Sequence, residues 1–403
     1  MAIQMPGIFD EKRLLICWII YSSLGCIEYI LHGLCDFLQF YWLGKCIFLV
    51  WFLKSGSSST EITPEPEITD LVKKEPTVAR KRATKGSSKR TQLNVPPRST
   101  VLSRDAKWVQ YGATVAGGNG NGSDLNQLWA PSNVFVDDVQ NVYVADPVND
   151  RIVEWKAGAK EGRLAAGGGE VMQGTNKLAS PSDVIIDKKT DSLIICDTDR
   201  RRVIRWRRTA DTEDETIATD IDCKGLTIDE NGTIYVTDNA RDEVVRYDIG
   251  DSEATIVAGG NGKGDGLNQL NSPYCVFVDK DYSVYVSDED NHRVMKWTDG
   301  AIEGIVVAGG QGDGDSLSQL KYPRGVIVDQ FGTLYVSDYG NMRIMRWFKG
   351  ATQGDIIAGG NGDGEETNQL ARPIGLSFDS QGNLYVVDAG NARVQKFDIT
   401  GNY

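Results

Sequence analysis

The sequence predicts an all-β, six-bladed β-propeller over residues 108–403, and a six-fold internal repeat is the first observation that supports this fold class. Each unit contains an apolar pair, a free position and Asp, and successive aspartates are 51, 41, 50, 50 and 50 residues apart. A period of about 40–50 residues built from short β-like runs is typical of a propeller. The six markers are residues 143–146, 194–197, 235–238, 285–288, 335–338 and 385–388.

The second observation is that each unit contains four strand-like runs. In the fourth unit they are residues 275–279, 283–287, 293–297 and 305–308. These runs are rich in β-branched and aromatic residues and are bounded by Gly, Asp, Asn and Pro, as strands are. Four-stranded units of this kind are the blades of a propeller.

The third observation concerns the two ends of the repeat. The chain enters it with a fourth-strand sequence at residues 113–118 and leaves it after a third strand at residues 393–397. We therefore expect the N-terminal strand to complete the last blade, which closes the ring and leaves no open seam.

The repeated unit also resembles a known family. The fifth unit reads Pro323-Arg324-Gly325-Val326, and Asp338, Asn341 and Arg343 follow it. This pattern is similar to the NHL repeat, and the Asn-His pair of the family name occurs once, at Asn291-His292. The resemblance recurs in every unit and implies a six-bladed propeller. A kelch propeller fits less well, because the Gly-Gly pairs follow the fourth strand.

Asp and Arg recur five residues apart across the turn between the second and third strands. We interpret these residues as parts of the scaffold, in which Arg pairs with a partly buried carboxylate, and not as a ring of ligand-binding groups. The structural repeat residues are Asp146, Arg151, Asp197, Arg202, Asp238, Asp288, Arg293, Asp338, Arg343, Asp388 and Arg393.

Function is expected where the symmetry breaks, and the third unit departs most from the others. Its entry connection, residues 218–223, lacks the Gly-Gly pair and the Leu-Asn-Gln-Leu run, and Glu243 stands where other units have Arg. We predict a partner-docking surface here; cross-strand charge pairing on a solvated hairpin is the alternative. The candidate residues are Arg200, Arg201, Arg202, Arg205, Arg207, Arg208 and Glu243.

The charge of the repeat region limits its partners. Residues 1–100 hold 13 of the 43 basic and 9 of the 56 acidic residues, which leaves 30 basic and 47 acidic residues in the rest. An acidic body repels phosphate backbones, so nucleic acid is not the expected partner. We expect a monomeric propeller that offers one face to a protein or a small ligand.

The N-terminal quarter is a different kind of sequence. We predict a tail at residues 1–13, a transmembrane or signal-anchor segment, helical in form, at residues 14–53, and a disordered linker at residues 54–107. The apolar run is long enough for one span, and a tight two-pass hairpin is the alternative. It continues past the apolar region of a cleaved signal peptide. Wrongly joined coding sequence would also explain it.

These features predict a membrane protein, single-pass, with the propeller on the lumenal or extracellular side. Two glycosylation sequons, at Asn121 and Asn231, fall on predicted loops and suit that side. The propeller contains Cys196, Cys223 and Cys275, an odd number. Cys196 and Cys223 lie on the same face of adjacent blades, but we expect them not to form a disulfide.

Two functional classes fit the sequence. The first is a non-enzymatic, membrane-tethered binding platform, and this is the class we expect. The second is a Ca²⁺-dependent hydrolase, lactonase-like or lyase-like enzyme. With only His32 and His292 in the chain, a multi-histidine zinc site cannot be built. We assign no catalytic, cofactor or metal residues. Ca²⁺ bound by carboxylates stays open, but the blades show no singular Asn or Glu aimed at the axis to favour it.

Overall fold

The computed structural model describes residues 80–82, 102–168, 177–208, 214–248 and 253–400. All of them belong to one compact unit, Glu75–Tyr403. The predicted tail at residues 1–13 and the predicted membrane helix at residues 14–53 lie outside the described residues. Within the described part, no helix has the length and apolar character needed to cross a membrane.

The described residues form six antiparallel, four-stranded blades, which confirms the predicted all-β propeller. The strands are, for blade 1, β4 (Val134–Val136), β5 (Val142–Asp146), β6 (Arg151–Trp155) and β7 (Arg163–Gly167); for blade 2, β8 (Pro181–Asp187), β9 (Ser192–Asp197), β10 (Arg202–Arg207) and β11 (Glu215–Thr219); for blade 3, β12 (Cys223–Ile228), β13 (Ile234–Asp238), β14 (Glu243–Tyr247) and β15 (Ala254–Gly259); for blade 4, β16 (Pro273–Val278), β17 (Val284–Asp288), β18 (Arg293–Trp297) and β19 (Ile305–Gly309); for blade 5, β20 (Pro323–Val328), β21 (Leu334–Asp338), β22 (Arg343–Trp347) and β23 (Asp355–Gly359); and for blade 6, β24 (Pro373–Phe378), β25 (Leu384–Asp388), β26 (Arg393–Phe397) and β3 (Ala113–Gly117).

The last blade is completed from the other end of the chain, as predicted. Strand β3 pairs antiparallel with β26, with Ala113 opposite Lys396 and Gly117 opposite Arg393. Outside this blade, β2 (Lys107–Trp108) pairs with β27 (Ile399–Thr400) and joins the two ends a second time. The ring is therefore closed by hydrogen bonds between distant parts of the sequence.

The apolar core lies between the blades. The second strands carry apolar side chains on both faces because neighbouring blades cover both, and every residue of β5, β13, β17, β21 and β25 is buried. Trp155, Trp297 and Trp347 are almost fully buried in clusters that draw residues from adjacent blades. These large side chains hold one blade against the next.

A single-turn 3₁₀ helix follows the second strand in every blade, and it brings the repeated Asp and Arg together. In blade 4, Arg293 Nε donates to Asp288 Oδ2 at 2.6 Å, and Asp288 Oδ1 accepts the backbone N–H of Asn271 at 2.7 Å. The Asp–Arg bond is 2.7 Å in blades 1, 5 and 6, and 2.6 Å in blade 2. The six 3₁₀ helices are Pro147–Asn149, Thr198–Arg200, Asn239–Arg241, Glu289–Asn291, Tyr339–Asn341 and Ala389–Asn391.

The same arginines hold the loop that enters the blade. The two Nη atoms of Arg293 donate to the carbonyls of Asp265 at 2.7 Å, Gly266 at 3.1 Å and Gln269 at 3.3 Å. One guanidinium thus satisfies a buried carboxylate and three backbone carbonyls. The entry loop is long enough to supply these acceptors in blade 4, and the same contacts recur in blades 1, 5 and 6.

Two expectations about the linker and the cysteines are corrected. Part of the predicted disordered linker is ordered: Arg80–Arg82 form a strand, β1, and Leu102 and Ala106 are buried against blades 5 and 6. Cys196 and Cys223 form a disulfide, with their Cα atoms 5.5 Å apart. The bridge was not expected because an odd cysteine count carries no pairing information, whereas the short entry of blade 3 places Cys223 beside β9 of blade 2.

We expect Arg343→Ala to destabilise the propeller by about 3–5 kcal/mol, because it leaves the carboxylate of Asp338 buried without its charge partner. Denaturant unfolding of the detergent-solubilised chain measures this loss. Lys188→Ala is the matched control, since Lys188 and Asp138 form a pair on the surface, and it should cost no more than about 1 kcal/mol. Equal losses for the two variants would contradict a scaffold role for the repeated pair.

Candidate binding site at the outer edge of blade 3

Blade 3 lacks the guanidinium that the other blades carry. The connection from β11 to β12 is short, so no long entry loop supplies carbonyl acceptors, and Glu243 occupies the position of the arginine. Arg241 occupies the position of the usual Asn and donates to Asp238 Oδ2 at 2.8 Å. Two carboxylates therefore lie together where the other blades have one carboxylate and one guanidinium.

A segment from far along the chain lies against this blade. Strand β1 pairs in parallel with the outer strand β15, with Arg80 opposite Ala254, Lys81 opposite Thr255 and Arg82 opposite Ile256. Thr255 and Ile256 are consequently half-buried, whereas the corresponding Ile305 and Val306 of blade 4 are 60% and 40% exposed. Adding a strand satisfies the N–H and C=O groups that an edge strand leaves open.

Arg80 supplies the missing guanidinium. Its Nη1 atom lies 2.9 Å from Asp238 Oδ2 and also donates to Glu243 Oε1. The Arg80 side chain is 10% exposed, and those of Asp238 and Glu243 are 0% and 5% exposed. One guanidinium thus contacts two buried carboxylates, an arrangement that suits the planar, multiply donating guanidinium better than an ammonium.

The other two residues of β1 contribute differently. Arg82 donates to Asn261 Oδ1 at 2.8 Å and to the carbonyl of Ile302 at 3.1 Å, so it reaches across to blade 4. Lys81 pairs with Glu253 on the surface, and its side chain is 76% exposed. The site therefore holds the first and third residues of the strand, as the alternation of side chains along a strand requires. We call it the blade-3 groove: β15, Asp238, Glu243, Asn261 and Ile302.

Burial sets the electrostatics of the groove. Desolvation raises the pKa of Glu243, and the charge and hydrogen bond of Arg80 oppose that rise. Asp238 also contributes to the rise by like-charge repulsion. The contact with Arg80 therefore favours the ionised form of the buried Glu243 carboxyl.

The structure does not bring the predicted arginines into one surface with Glu243. Arg200 and Arg201 lie at one end of β10, whereas Arg207 and Arg208 lie at or beyond the other end. Most are already paired: Arg201 with Asp220 at 2.8 Å, Arg202 with Asp197 at 2.6 Å, Arg205 with Asp187 at 2.5 Å, and Arg208 with Asp191 at 2.9 Å. Of the candidates, Glu243 alone lies in the groove.

Sequence reasoning missed Arg80, Arg82, Asp238 and Arg241 as members of one site. The sequence does contain one indication of this site. Glu243 stands where the other blades have Arg, and a buried carboxylate at that position requires a cation from elsewhere in the chain. The basic run at residues 80–82 is one such source, but several others precede and follow it in the sequence. Sequence alone could not choose among them.

The central channel is the second concave feature, with a volume of about 790 Å³. The first strands line it, and corresponding positions carry Asn133 in blade 1, Asp183 in blade 2 and Cys275 in blade 4, while blades 3, 5 and 6 have Gly. The expectation that no singular Asn points toward the axis is therefore wrong. These positions lie outside the repeat markers, so the marker pattern does not indicate the difference.

Asp183 links three blades. Its Oδ1 atom accepts the N–H of Val184 at 2.7 Å, its Oδ2 atom accepts the N–H of Leu226 at 2.8 Å, and Asn133 also donates to it. Burial raises the pKa of Asp183 to about 7 despite these hydrogen bonds. Burial likewise raises the pKa of the Cys275 thiol to about 12, which keeps it protonated and weakly nucleophilic at neutral pH. Across the described residues, no group of three or more His, Cys, Asp or Glu could hold a metal ion.

Asp183 should make stability depend on pH. Because its pKa rises from 3.8 unfolded to about 7 folded, its contribution is full below pH 3.8 and is lost as the pH rises through about 7. The free energy of unfolding should fall between about pH 4 and pH 7, by at most about 1.4 kcal/mol per pH unit from this group. Denaturant titrations should show a shallower fall for Asp183→Asn.

The matched control for this pH dependence is Asp138→Asn, which removes an exposed carboxylate that also lines the channel. The control should retain the wild-type slope. A slope in Asp183→Asn as steep as that of the wild type would show that another group is responsible.

Comparisons with known proteins agree with this geometry. A sequence profile of the NHL repeat matches residues 370–397, and one described as the TB2/DP1, HVA22 family matches residues 1–62. The second match covers the apolar run and indicates a membrane-associated N-terminus.

Solved structures of low identity share the fold. A structural-genomics protein of unknown function from Bacteroides thetaiotaomicron is 15% identical, with 73% of this chain and 77% of that one covered at a TM-score of 0.58. An auxiliary nutrient binding protein from the same species is 16% identical over 74% and 78%, at a TM-score of 0.57. A gluconolactonase from Xanthomonas campestris is 16% identical over 76% and 95%, at a TM-score of 0.51. Together with the six blades, the repeat match at residues 370–397 supports the resemblance of this chain to NHL-repeat β-propellers.

Proposed function

We propose that this protein is a membrane-tethered, non-enzymatic binding platform whose docking site is the blade-3 groove. The observation that carries the proposal is the parallel pairing of Arg80–Arg82 with β15, because it places an extended polypeptide on the edge of this blade. Strand addition is a common mode of peptide recognition, in which backbone hydrogen bonds supply affinity and side-chain pockets supply specificity. The groove has both elements.

The break in symmetry supports the same assignment. The repeated Asp–Arg pair serves the scaffold in the other blades, whereas blade 3 lacks both this pair and the long entry loop that accompanies it in blades 1, 4, 5 and 6. Blade 3 instead combines Asp238 and Glu243 in a buried pocket that is satisfied from outside the blade. Leaving such carboxylates without a partner is costly, so the pocket favours occupation by a cation.

The channel gives less support to the enzyme alternative. Asp183 accepts two backbone N–H groups, one from its own strand and one from blade 3, and the Cys275 thiol stays protonated. The contacts of Asp183 hold neighbouring blades together. We therefore assign the binding function to the groove and no chemistry to the channel.

Residues 14–53 supply the membrane attachment in this proposal, supported by the family match over residues 1–62. A single span with the propeller on the lumenal or extracellular side is the proposed topology. The disulfide between Cys196 and Cys223 supports that side, because disulfides persist in oxidising compartments. Asn121 is exposed, whereas Asn231 is half-buried and donates to Tyr282 Oη at 2.9 Å.

Binding at the groove can be tested without assuming a ligand sequence. A library of twelve-residue peptides is selected for binding to the full chain in detergent micelles. The selection is run twice, once against the wild type and once against the Arg80→Ala/Arg82→Ala variant. Enriched peptides should slow hydrogen–deuterium exchange of β15 amides at least about tenfold, since a paired edge opens less often. Strand β19 of blade 4 is the internal control. Protection confined to other surfaces, or no enrichment, would contradict the proposed site.

The topology is tested by glycosylation in cells with a secretory pathway. Glycosidase treatment should increase the electrophoretic mobility of the wild-type chain, and Asn121→Gln should abolish most of this change because Asn121 is the exposed acceptor. Asn119→Gln, an exposed position outside any sequon, is the control. An unglycosylated chain whose buried Cys196 and Cys223 react with maleimide after denaturation without reductant would place the propeller on the reducing side.

A further inference from the structure

We infer that Arg80–Arg82 is an intramolecular ligand of the blade-3 groove, and that the groove takes in trans an extended peptide with arginines at positions i and i+2. This inference rests on the proposed function and adds two statements to it. The first names the ligand class. The second is that the protein's own segment competes for the site, so binding of a partner requires its release.

The ligand class follows from the two side-chain contacts of β1. The first position faces Asp238 and Glu243 together, and the third faces the amide oxygen of Asn261 and the carbonyl of Ile302. Both positions offer only acceptors to the ligand. A guanidinium donates in several directions within one plane and therefore satisfies each pair of acceptors, whereas an ammonium is a compact point charge.

The middle position of β1, Lys81, contributes little to the recognition of a ligand. Lys81 is largely exposed, and its partner Glu253 is 40% exposed, so solvent screens that pair. Substitution at this position should therefore be tolerated. The groove consequently selects a spacing, Arg-x-Arg, and not simply a high density of positive charge.

Competition follows from the small size of the contact. The described contact comprises three residue pairs along β15 and two guanidinium sites. A free peptide with the same three residues would make the same contacts. The segment belongs to the same chain, and an attached ligand competes at an effective concentration that can reach about the millimolar range. Its occupancy lowers the apparent affinity of any competing peptide in proportion to the fraction of occupied grooves.

The acidic propeller favours a basic partner. Residues 101–403 hold 47 acidic and 30 basic residues, so a basic peptide is attracted before contact. Within the groove, Arg241 is already engaged by Asp238 at 2.8 Å and by Asp220. It therefore leaves the second carboxylate, Glu243, for the incoming arginine.

The test uses the full chain in detergent micelles and a fluorescein-labelled peptide with the sequence of residues 77–85 as the probe. Fluorescence anisotropy should show that Arg80→Ala/Arg82→Ala binds the probe at least about tenfold more tightly than the wild type, because the internal competitor is removed. Lys81→Ala is the matched control in the same strand, and it should bind like the wild type. A probe with Lys at both arginine positions should bind at least about tenfold more weakly.

A second variant tests whether the probe binds in the blade-3 groove itself, separately from the effect of removing the competing side chains of β1. Glu243→Arg restores the residue that the other blades carry, so it is compatible with a folded blade, but it places a positive charge in the pocket. Added to the tether-strand variant Arg80→Ala/Arg82→Ala, it should abolish probe binding. Thermal unfolding and mapping of the Cys196–Cys223 disulfide verify that each variant is folded.

The outcomes separate the two proposals. Equal, tight binding to the wild type and to the tether-strand variant, lost in the Glu243→Arg background, would overturn intramolecular competition and leave the proposed function in place. Equal binding of the Arg and Lys probes would overturn the ligand class. Absence of binding in folded variants of every kind would overturn both. A wild-type dimer that dissociates only in the tether-strand variant would show that a second copy, and not the same chain, supplies the strand.

Discussion

The architecture depends on the buried Asp–Arg pair beneath the turn between the second and third strands. In blade 4 the carboxylate of Asp288 accepts from Arg293, from Asn291 and from the backbone of Asn271, and Arg293 then donates to the entry loop. One ion pair thereby fixes the turn, the loop and the start of the first strand. Because a charge removed from water requires a partner and hydrogen bonds, none of these parts can change alone.

Blade 3 shows the consequence of changing one of these parts. Its entry connection is short, so a guanidinium at position 243 would have lost the loop carbonyls that it meets elsewhere. Glu243 stands there instead, and Arg241 and Arg80 neutralise the resulting pair of carboxylates. Blade 3 therefore lacks the internal Asp–Arg pair and has instead two carboxylates that Arg80, a residue from outside the blade, contacts. The proposed binding function uses these two carboxylates.

The junction between blades 2 and 3 is reinforced where the long connection is missing. The disulfide joins Cys196 of β9 to Cys223 of β12, and the hydroxyls of Ser182 and Thr198 donate to the carbonyl of Cys223 at 3.1 and 2.9 Å. Asp183 adds a link from β8 to the backbone of Leu226. Closing a loop of this length by a disulfide stabilises a fold by about 3 kcal/mol. Blade 3 can therefore be irregular at its edge while its inner strands stay fixed.

The fold, the number of blades and the closure of the ring were all predictable from the amino-acid sequence. Each of these depends on periodicity and on local strand and turn preferences, which neighbouring residues specify. The odd position at Glu243 was also visible, but its partner was not, because Arg80 lies 163 residues away and the chain offers many other basic residues. The three-blade contact of Asp183 was hidden for the same reason, whereas the proximity of Cys196 and Cys223 was predicted and only the bond between them was not. Contacts between distant residues depend on which surfaces the closed ring brings together, and local sequence preferences do not specify that; it is set only when the whole chain has folded.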